Sequence, residues 1–124
     1  MLTFFRCKKC GKIIGIVNGG APATVCCGEE MYALKANTSD GATEKHVPVI
    51  ERNGDLVKVK VGSAVHPMEK DHYIQWIVVE TDKGVQRKCL SPGQEPEATF
   101  ALWQENLVAV YEYCNKHGLW KAEV

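Results

Sequence analysis

Two cysteine pairs near the start of the chain, Cys7-Lys8-Lys9-Cys10-Gly11 and Cys26-Cys27-Gly28, constrain its fold more than any other feature. Thiols this close together must either be bridged or share a metal. The neighbours Cys26 and Cys27 would need two bridges in one small knot, whereas a metal gathers several thiolates around one point. The chain opens MLTFFRCKKCG, without the charged start, apolar stretch and small-residue cleavage site of an export signal. The expected compartment is therefore the cytoplasm, where thiols stay reduced. Four thiolates are the ligand set of tetrahedral zinc or iron. A full shell leaves no position for substrate, so this centre is expected to be structural or electron-transferring. A module this small cannot build a stable core unaided, and metal binding would supply the missing folding energy. Gly11 is expected to leave room for backbone amides near the sulfurs. A zinc-ribbon knuckle fits the C-x-x-C half but not the adjacent pair, and spacing alone leaves iron or zinc open.

The chain has 124 residues with 15 Lys+Arg and 15 Asp+Glu, a formal charge of zero. Zero net charge argues against a dedicated nucleic-acid binder, and no apolar run is long enough to span a membrane. The neutrality is a sum of two unlike parts. Residues 1–36 carry five Lys or Arg and two acids, and residues 37–124 carry ten bases and thirteen acids. The polar, turn-forming stretch 37–43, Asn-Thr-Ser-Asp-Gly-Ala-Thr, reads as a linker between a small metal module and a larger domain at 44–124.

The larger part reads as all-β. Val47–Ile50 and Leu56–Val61 flank Asn53-Gly54, a dipeptide whose tolerance of positive φ marks a hairpin. Val57, Val59 and Val61 alternate with Lys58 and Lys60, giving one buried and one wet face. Tyr73–Val79 and Val85–Leu90 follow as strands around the turn Asp82-Lys83-Gly84, with a further turn at Ser91-Pro92-Gly93. Glu97–Tyr113 reads either as a helix or as two strands joined at Gln104-Glu105-Asn106. The strands before it, with Val108, Val110, Tyr111 and Tyr113, favour two strands. Short strands at this spacing suggest a sandwich or barrel.

All four histidines, His46, His66, His72 and His117, fall in this larger part. Cys114-Asn115-Lys116-His117 is a C-x-x-H pair able to clamp an ion from one turn. His66-Pro67-Met68-Glu69-Lys70-Asp71-His72 places two imidazoles at the ends of a short loop, and Pro67 biases His66 to extended backbone. Four imidazoles and one thiolate make a five-ligand set. Structural zinc prefers four ligands, whereas five with one vacant position suit iron in redox or small-molecule chemistry.

These residues carry a resemblance. Cys7-Lys-Lys-Cys10-Gly with Cys26-Cys27-Gly28 before Met31 resembles desulforedoxin. EKHVPVIE (44–51), VGSAVHPMEKDHYIQWI (61–77), SPGQEPEATF (91–100) and YCNKHGLWK (113–121) resemble a neelaredoxin-type catalytic domain. In this order they resemble the desulfoferrodoxin family, the two-iron superoxide reductases. One departure is Glu30, where the family commonly has Pro before the Met; it is expected to alter a turn and leave the ligands alone.

The resemblance implies an immunoglobulin-like β-sandwich after the small module, a homodimer, and two irons per chain. It implies Cys7, Cys10, Cys26 and Cys27 on the first iron. On the second it implies His46, His66, His72 and His117 as equatorial imidazoles, with Cys114 as the axial thiolate of a square-pyramidal centre. The implied reaction turns superoxide, one electron and two protons into hydrogen peroxide without releasing oxygen, with rubredoxin or a similar small carrier as donor. Lys45 is the cation expected to draw superoxide to the open position and to hold the water that protonates the product. Glu44 is implied to close that position in the oxidised state. An electron carrier of the rubredoxin type, using only the four-cysteine centre, is the alternative, but it leaves the histidines unexplained; a zinc-binding interaction module is a third reading. Cys89 is expected to be a small buried hydrophobe without a role, and Trp76, Trp103 and Trp120 to be core or pocket packing.

Overall fold

In a computed structural model that describes residues 2–20, 23–39 and 41–124, the chain divides into two compact units, Met1–Lys35 and Ala36–Val124. Almost all regular structure is β.

In the first unit, β1 (Phe4–Arg6) is the centre of a small antiparallel sheet, flanked by β2 (Ile13–Gly15) and β5 (Tyr32–Ala33). A separate two-stranded ribbon joins β3 (Val25–Cys26) to β4 (Glu29–Glu30). Its turn is Cys27-Gly28, with φ of 53° and 75°. Positive φ at both turn residues is the type I′ geometry that matches the twist of a hairpin. Glu30 lies in β4 opposite Val25, just past this turn. Among the described residues of this unit only Phe4, Cys7 and Met31 are buried hydrophobics.

The second unit opens with the one-turn helix α1 (Thr43–His46) and continues as two antiparallel sheets. One sheet orders β10 (Glu97–Ala101), β7 (Leu56–Val61) and β6 (Pro48–Asn53). The other orders β12 (Gly118–Glu123), β11 (Leu107–Cys114), β8 (Ile74–Thr81) and β9 (Val85–Cys89). The expected Asn53-Gly54 hairpin pairs β6 with β7, from Pro48 opposite Val61 to Asn53 opposite Leu56. Val57, Val59 and Val61 point inward with Ala98 and Phe100, and meet Ile74, Ile77, Val79, Leu107, Val110 and Cys114 of the facing sheet. This is the all-β sandwich expected of the larger part. The stretch 97–113 forms two strands, β10 and β11. Their connection has Gln104 at φ 53°, and Asp82 accepts from both the backbone N–H and the side chain of Asn106.

Within the stretch 37–43, Asn37 is hydrogen-bonded to β12, and Thr43 begins α1. Asp40, within that stretch, lies outside the described residues. Trp103 is 73 % exposed, not core, because strand alternation gives the inward position to Leu102. Cys89 is exposed on the edge strand β9, not buried. Strand β12 was not foreseen; it pairs with β11 from Cys114 opposite Gly118 to Ala109 opposite Glu123.

Candidate metal centres

In the first unit the four thiols meet. The sulfur of Cys10 lies 3.7 Å from that of Cys26, and the sulfur of Cys26 lies 3.9 Å from that of Cys27. No pair among the six cysteines is bridged. Metal–thiolate bonds of about 2.3 Å in a tetrahedron place sulfurs about 3.8 Å apart, so the spacing is that of a four-thiolate shell. The left-handed Cys27 explains how neighbours can both contribute. Successive side chains of a strand point to opposite faces, and the turn at Cys27 swings its thiol back to the side of Cys26. Gly11, at φ 79°, serves the other pair: its N–H donates to the carbonyl of Cys7 at 3.0 Å, closing the loop, while Cys10 N–H donates to Cys7 Sγ at 3.5 Å.

The protonation pattern points the same way. The Cys10 backbone N–H holds the Cys7 thiol down to about 6, against burial that raises it. Hydrogen bonding with Cys10 pushes Cys27 up to about 12 and raises Cys26 as well. Without a cation, one thiolate is kept by its protonated neighbours; a divalent or trivalent ion lets all four ionise.

The second constellation is built by four separate elements of the sandwich. His46 ends α1, and His66 and His72 lie in the β7–β8 connection. Cys114 ends β11, and His117 sits in the turn to β12. The imidazoles form a closed circuit. His46 to His66 is 4.6 Å between ring centres, His66 to His72 is 4.9 Å, His72 to His117 is 5.1 Å, and His117 to His46 is 4.8 Å. Each ring stands steeply to its neighbours, at 64–81°. Ligand atoms of His46, His66, His72 and the fully buried Cys114 lie within 4.8 Å of one another.

The ring nitrogens show what this circuit fits. His46 Nδ1 faces the carbonyl of Ala42 at 2.7 Å, and His66 Nδ1 faces that of Pro67 at 2.6 Å. A carbonyl only accepts, so both Nδ1 atoms carry the proton. Burial lowers His46 and brings His66 down to about 4, so both rings are neutral. Their Nε2 lone pairs then face each other at 3.1 Å without a proton between them. His72 Nε2 is buried and has no hydrogen-bond partner among the described residues. Lone pairs converging in a dry site are the donor set of a metal ion, and a carbonyl on the other nitrogen is the usual orienting partner of a metal-bound histidine.

Local structure explains the aim of each ligand. A register shift in the β8–β11 pairing falls between Tyr113 and Cys114, and such a bulge re-aims the side chain at its end. The backbone N–H groups of Lys116 and His117 donate to Cys114 Sγ, opposing the burial that raises its thiol. Gly62, at φ 79°, lets α1 approach. A Cβ there would stand 2.6 Å from the Ala64 carbonyl oxygen and 2.7 Å from that of Glu44. Gly62→Ala should therefore displace α1 and His46, and cost about 1–3 kcal/mol from backbone conformation alone. Thermal unfolding with metal content per chain checks this; an unchanged melting point and full loading would contradict it.

Sequence reasoning missed three supporting side chains. Asn115 clamps the histidine loop to the cysteine turn: its Oδ1 accepts from Tyr73 N–H at 2.9 Å, and its Nδ2 donates to Asp71 O at 2.9 Å. Trp120, which was foreseen only as packing, stacks on His46 at 4.9 Å and donates to the His117 carbonyl at 3.0 Å. Glu112 is fully buried on β11, with neither oxygen hydrogen-bonded among the described residues, and desolvation raises it well above the usual carboxylate range. Its C-terminal neighbour but one is Cys114, the only signal in the sequence that could have singled it out. Glu44 and Lys45 are exposed on α1 beside the circuit, with the Glu44 carbonyl accepting from Ala64 N–H at 2.8 Å.

A family model described as "Desulfoferrodoxin" matches residues 38–123, and one described as "Desulfoferrodoxin, N-terminal domain" matches residues 2–34. A desulfoferrodoxin of Syntrophotalea carbinolica is 51% identical over 98% of this chain and 96% of its own length. A superoxide reductase of Pyrococcus horikoshii is 40% identical over 70% of this chain and 91% of its own. Among solved structures, the superoxide reductase of Treponema pallidum matches with a TM-score of 0.84 and 40% identity, covering 99% of both chains.

Proposed function

The chain belongs to the desulfoferrodoxin family, and from that premise we propose how its residues carry out the work of a superoxide reductase. The protein reduces superoxide to hydrogen peroxide, and its four-cysteine and four-histidine, one-cysteine sites fit the two iron centres of the family. The single observation that carries this reading is the closed circuit of four imidazoles with Cys114 buried beside it.

When bound, iron supplies the one-electron couple that the reaction needs. The residues divide the remaining work. His46, His66, His72 and His117 would hold the second iron as neutral ligands, which do not cancel its positive charge. Cys114 provides the anionic sulfur, whose electron donation favours giving an electron to substrate. Lys116 and His117 N–H groups moderate that donation by hydrogen bonding to the sulfur. Cys7, Cys10, Cys26 and Cys27 would hold the first iron with a full set of four thiolates, which leaves that centre the roles of folding and electron relay. The small module spans 1–36 and the catalytic domain 44–124, the stretch 37–43 joining them.

Lys45 is the cation that draws the superoxide anion toward the site and holds a water able to deliver protons to the product. The carboxylate of Glu44 would be available as a further oxygen ligand to the second iron when bound. Both are supported by their exposure on α1, directly before the ligand His46. A small electron carrier of the rubredoxin type supplies the electron, the protein works as a homodimer, and reduced thiols suit the cytoplasm.

Lys45→Ile should slow the bimolecular encounter with superoxide about tenfold, the lower end of what electrostatic steering contributes, and should flatten its dependence on ionic strength. Pulse radiolysis across a salt series measures both. An unchanged rate and slope would remove Lys45 from the mechanism. A protein that holds two zinc ions after iron-replete anaerobic expression would overturn the reading as a whole.

A further inference from the structure

Near the start of the second unit the chain is clasped to strand β12. Asn37 has φ 62°, a conformation that asparagine tolerates better than most residues. Its backbone N–H donates to Leu119 O at 3.0 Å. Its side-chain amide pairs with one peptide position of the same strand, Nδ2 donating to Lys121 O at 3.1 Å and Oδ1 accepting from Lys121 N–H at 2.8 Å. Strand β12 is the edge of its sheet, so its outward backbone groups are the ones available for such pairing. A single residue thus grips the strand on both sides of Trp120, the side chain that stacks on His46.

Beyond Asn37, the described residues Ser39, Gly41 and Ala42 stand beside the imidazoles or the turn that carries one of them. Ser39 Oγ would stand 2.7 Å from a Cβ at Gly118, so the turn after His117 is closely covered. Gly41 lies against two rings: a Cβ there would be 3.2 Å from His46 Cε1 and 3.2 Å from His117 Cγ. Ala42 then supplies the carbonyl that fixes the proton on His46 Nδ1. The chain that leads to His46 is therefore fastened at Asn37, which is exposed and bonds to Leu119 and Lys121.

We propose that Asn37 is a positioning residue of the second iron centre: by fastening the strap to β12 it keeps Gly41 against His46 and His117 and the Ala42 carbonyl on His46 Nδ1. This rests on the reading of that centre given above. Partners that orient a metal-bound histidine typically contribute 10–100-fold in metal affinity, and Asn37 acts one step further out, through the backbone. The lower end of that range is expected.

Asn37→Gly is the clean test, because glycine adopts the positive φ freely and only the amide is lost. Gly41→Ala perturbs the same strap from its other end by pressing on both rings. In the full-length, iron-loaded protein, Asn37→Gly should let a chelator remove the second iron about tenfold faster. It should also shift that centre's ferric–thiolate absorption band. The four-cysteine centre's bands and the melting temperature should stay as in the parent. Asn37→Asp keeps the acceptor for Lys121 N–H and should fall between the two. If Asn37→Gly folds and both the band and the release rate match the parent, the proposal is overturned, whatever Gly41→Ala does. If the parent itself lacks a second iron, the reading of the centre fails instead. The strap is then decided on metal-free protein, where the His46 Nδ1–H resonance should exchange faster with solvent in Asn37→Gly, and equal exchange would refute it.

Discussion

Cys114→Ser is expected to abolish the ferric–thiolate absorption of the second centre while leaving the four-cysteine bands in place. Cys114 is the sole thiol of that constellation and is fully buried. Serine offers a hard, weakly donating oxygen that stays protonated where the thiol ionises on binding metal. The two N–H groups that now meet the sulfur can still donate to the hydroxyl, so the polar atom is not stranded. The fold should therefore survive at a cost of about 1–3 kcal/mol, within the usual 5–15 kcal/mol margin of a domain. The rate of superoxide reduction should fall more than about 100-fold, since even partners outside the ligand set contribute 10–100-fold. Pulse radiolysis with anaerobic metal quantitation measures this. A Cys114→Ser protein that keeps both band sets and its rate would show that the sulfur is not a ligand.

Cys7→Ser should separate the two units. The first unit has three buried hydrophobics among its described residues, too few to hold a chain of that length. Structural metal in small modules supplies about 10–16 kcal/mol of apparent folding free energy, far more than such a core. Without its full thiolate shell, residues 1–35 should lose protection in amide hydrogen exchange and the four-cysteine absorption should vanish. The sandwich, with its own core from Val57 to Cys114, should keep its protection and its second iron. Superoxide reduction by prereduced protein should continue, because the second centre's ligands all lie beyond residue 45. Intact exchange protection in the first unit, or loss of the second iron, would each contradict this division.

The ligands were legible in the sequence because metal chemistry restricts residue types, and Cys and His are scarce enough for their spacing to carry information. The sandwich was legible where alternation is strict, as in Val57-Lys58-Val59-Lys60-Val61. The ambiguity at 97–113 was settled by contacts no local pattern encodes: β11 is the inner strand between β8 and β12. The supporting residues were hidden for a related reason. Asn37 and Asn115 bond to backbone far along the chain, up to 84 residues away for Asn37 and Lys121, and Gly41 lies against the ring of His117. An asparagine that clamps a strand and one that decorates a loop read identically in one dimension. Trp103 and Cys89 went wrong in the opposite sense, since an apolar residue next to a strand end can fall on either face.

The two sets of ligand atoms are framed by unequal amounts of structure. The thiols of the first unit rest on two short turns beside three buried hydrophobics. The imidazole circuit is framed by a packed sandwich with a core of its own, and backbone carbonyls fix the rings of His46 and His66. An enzyme that makes hydrogen peroxide beside iron exposes that iron to its own product. The centre that meets the product is thus set in the part of the chain whose fold depends least on metal, so damage to the iron need not become damage to the fold.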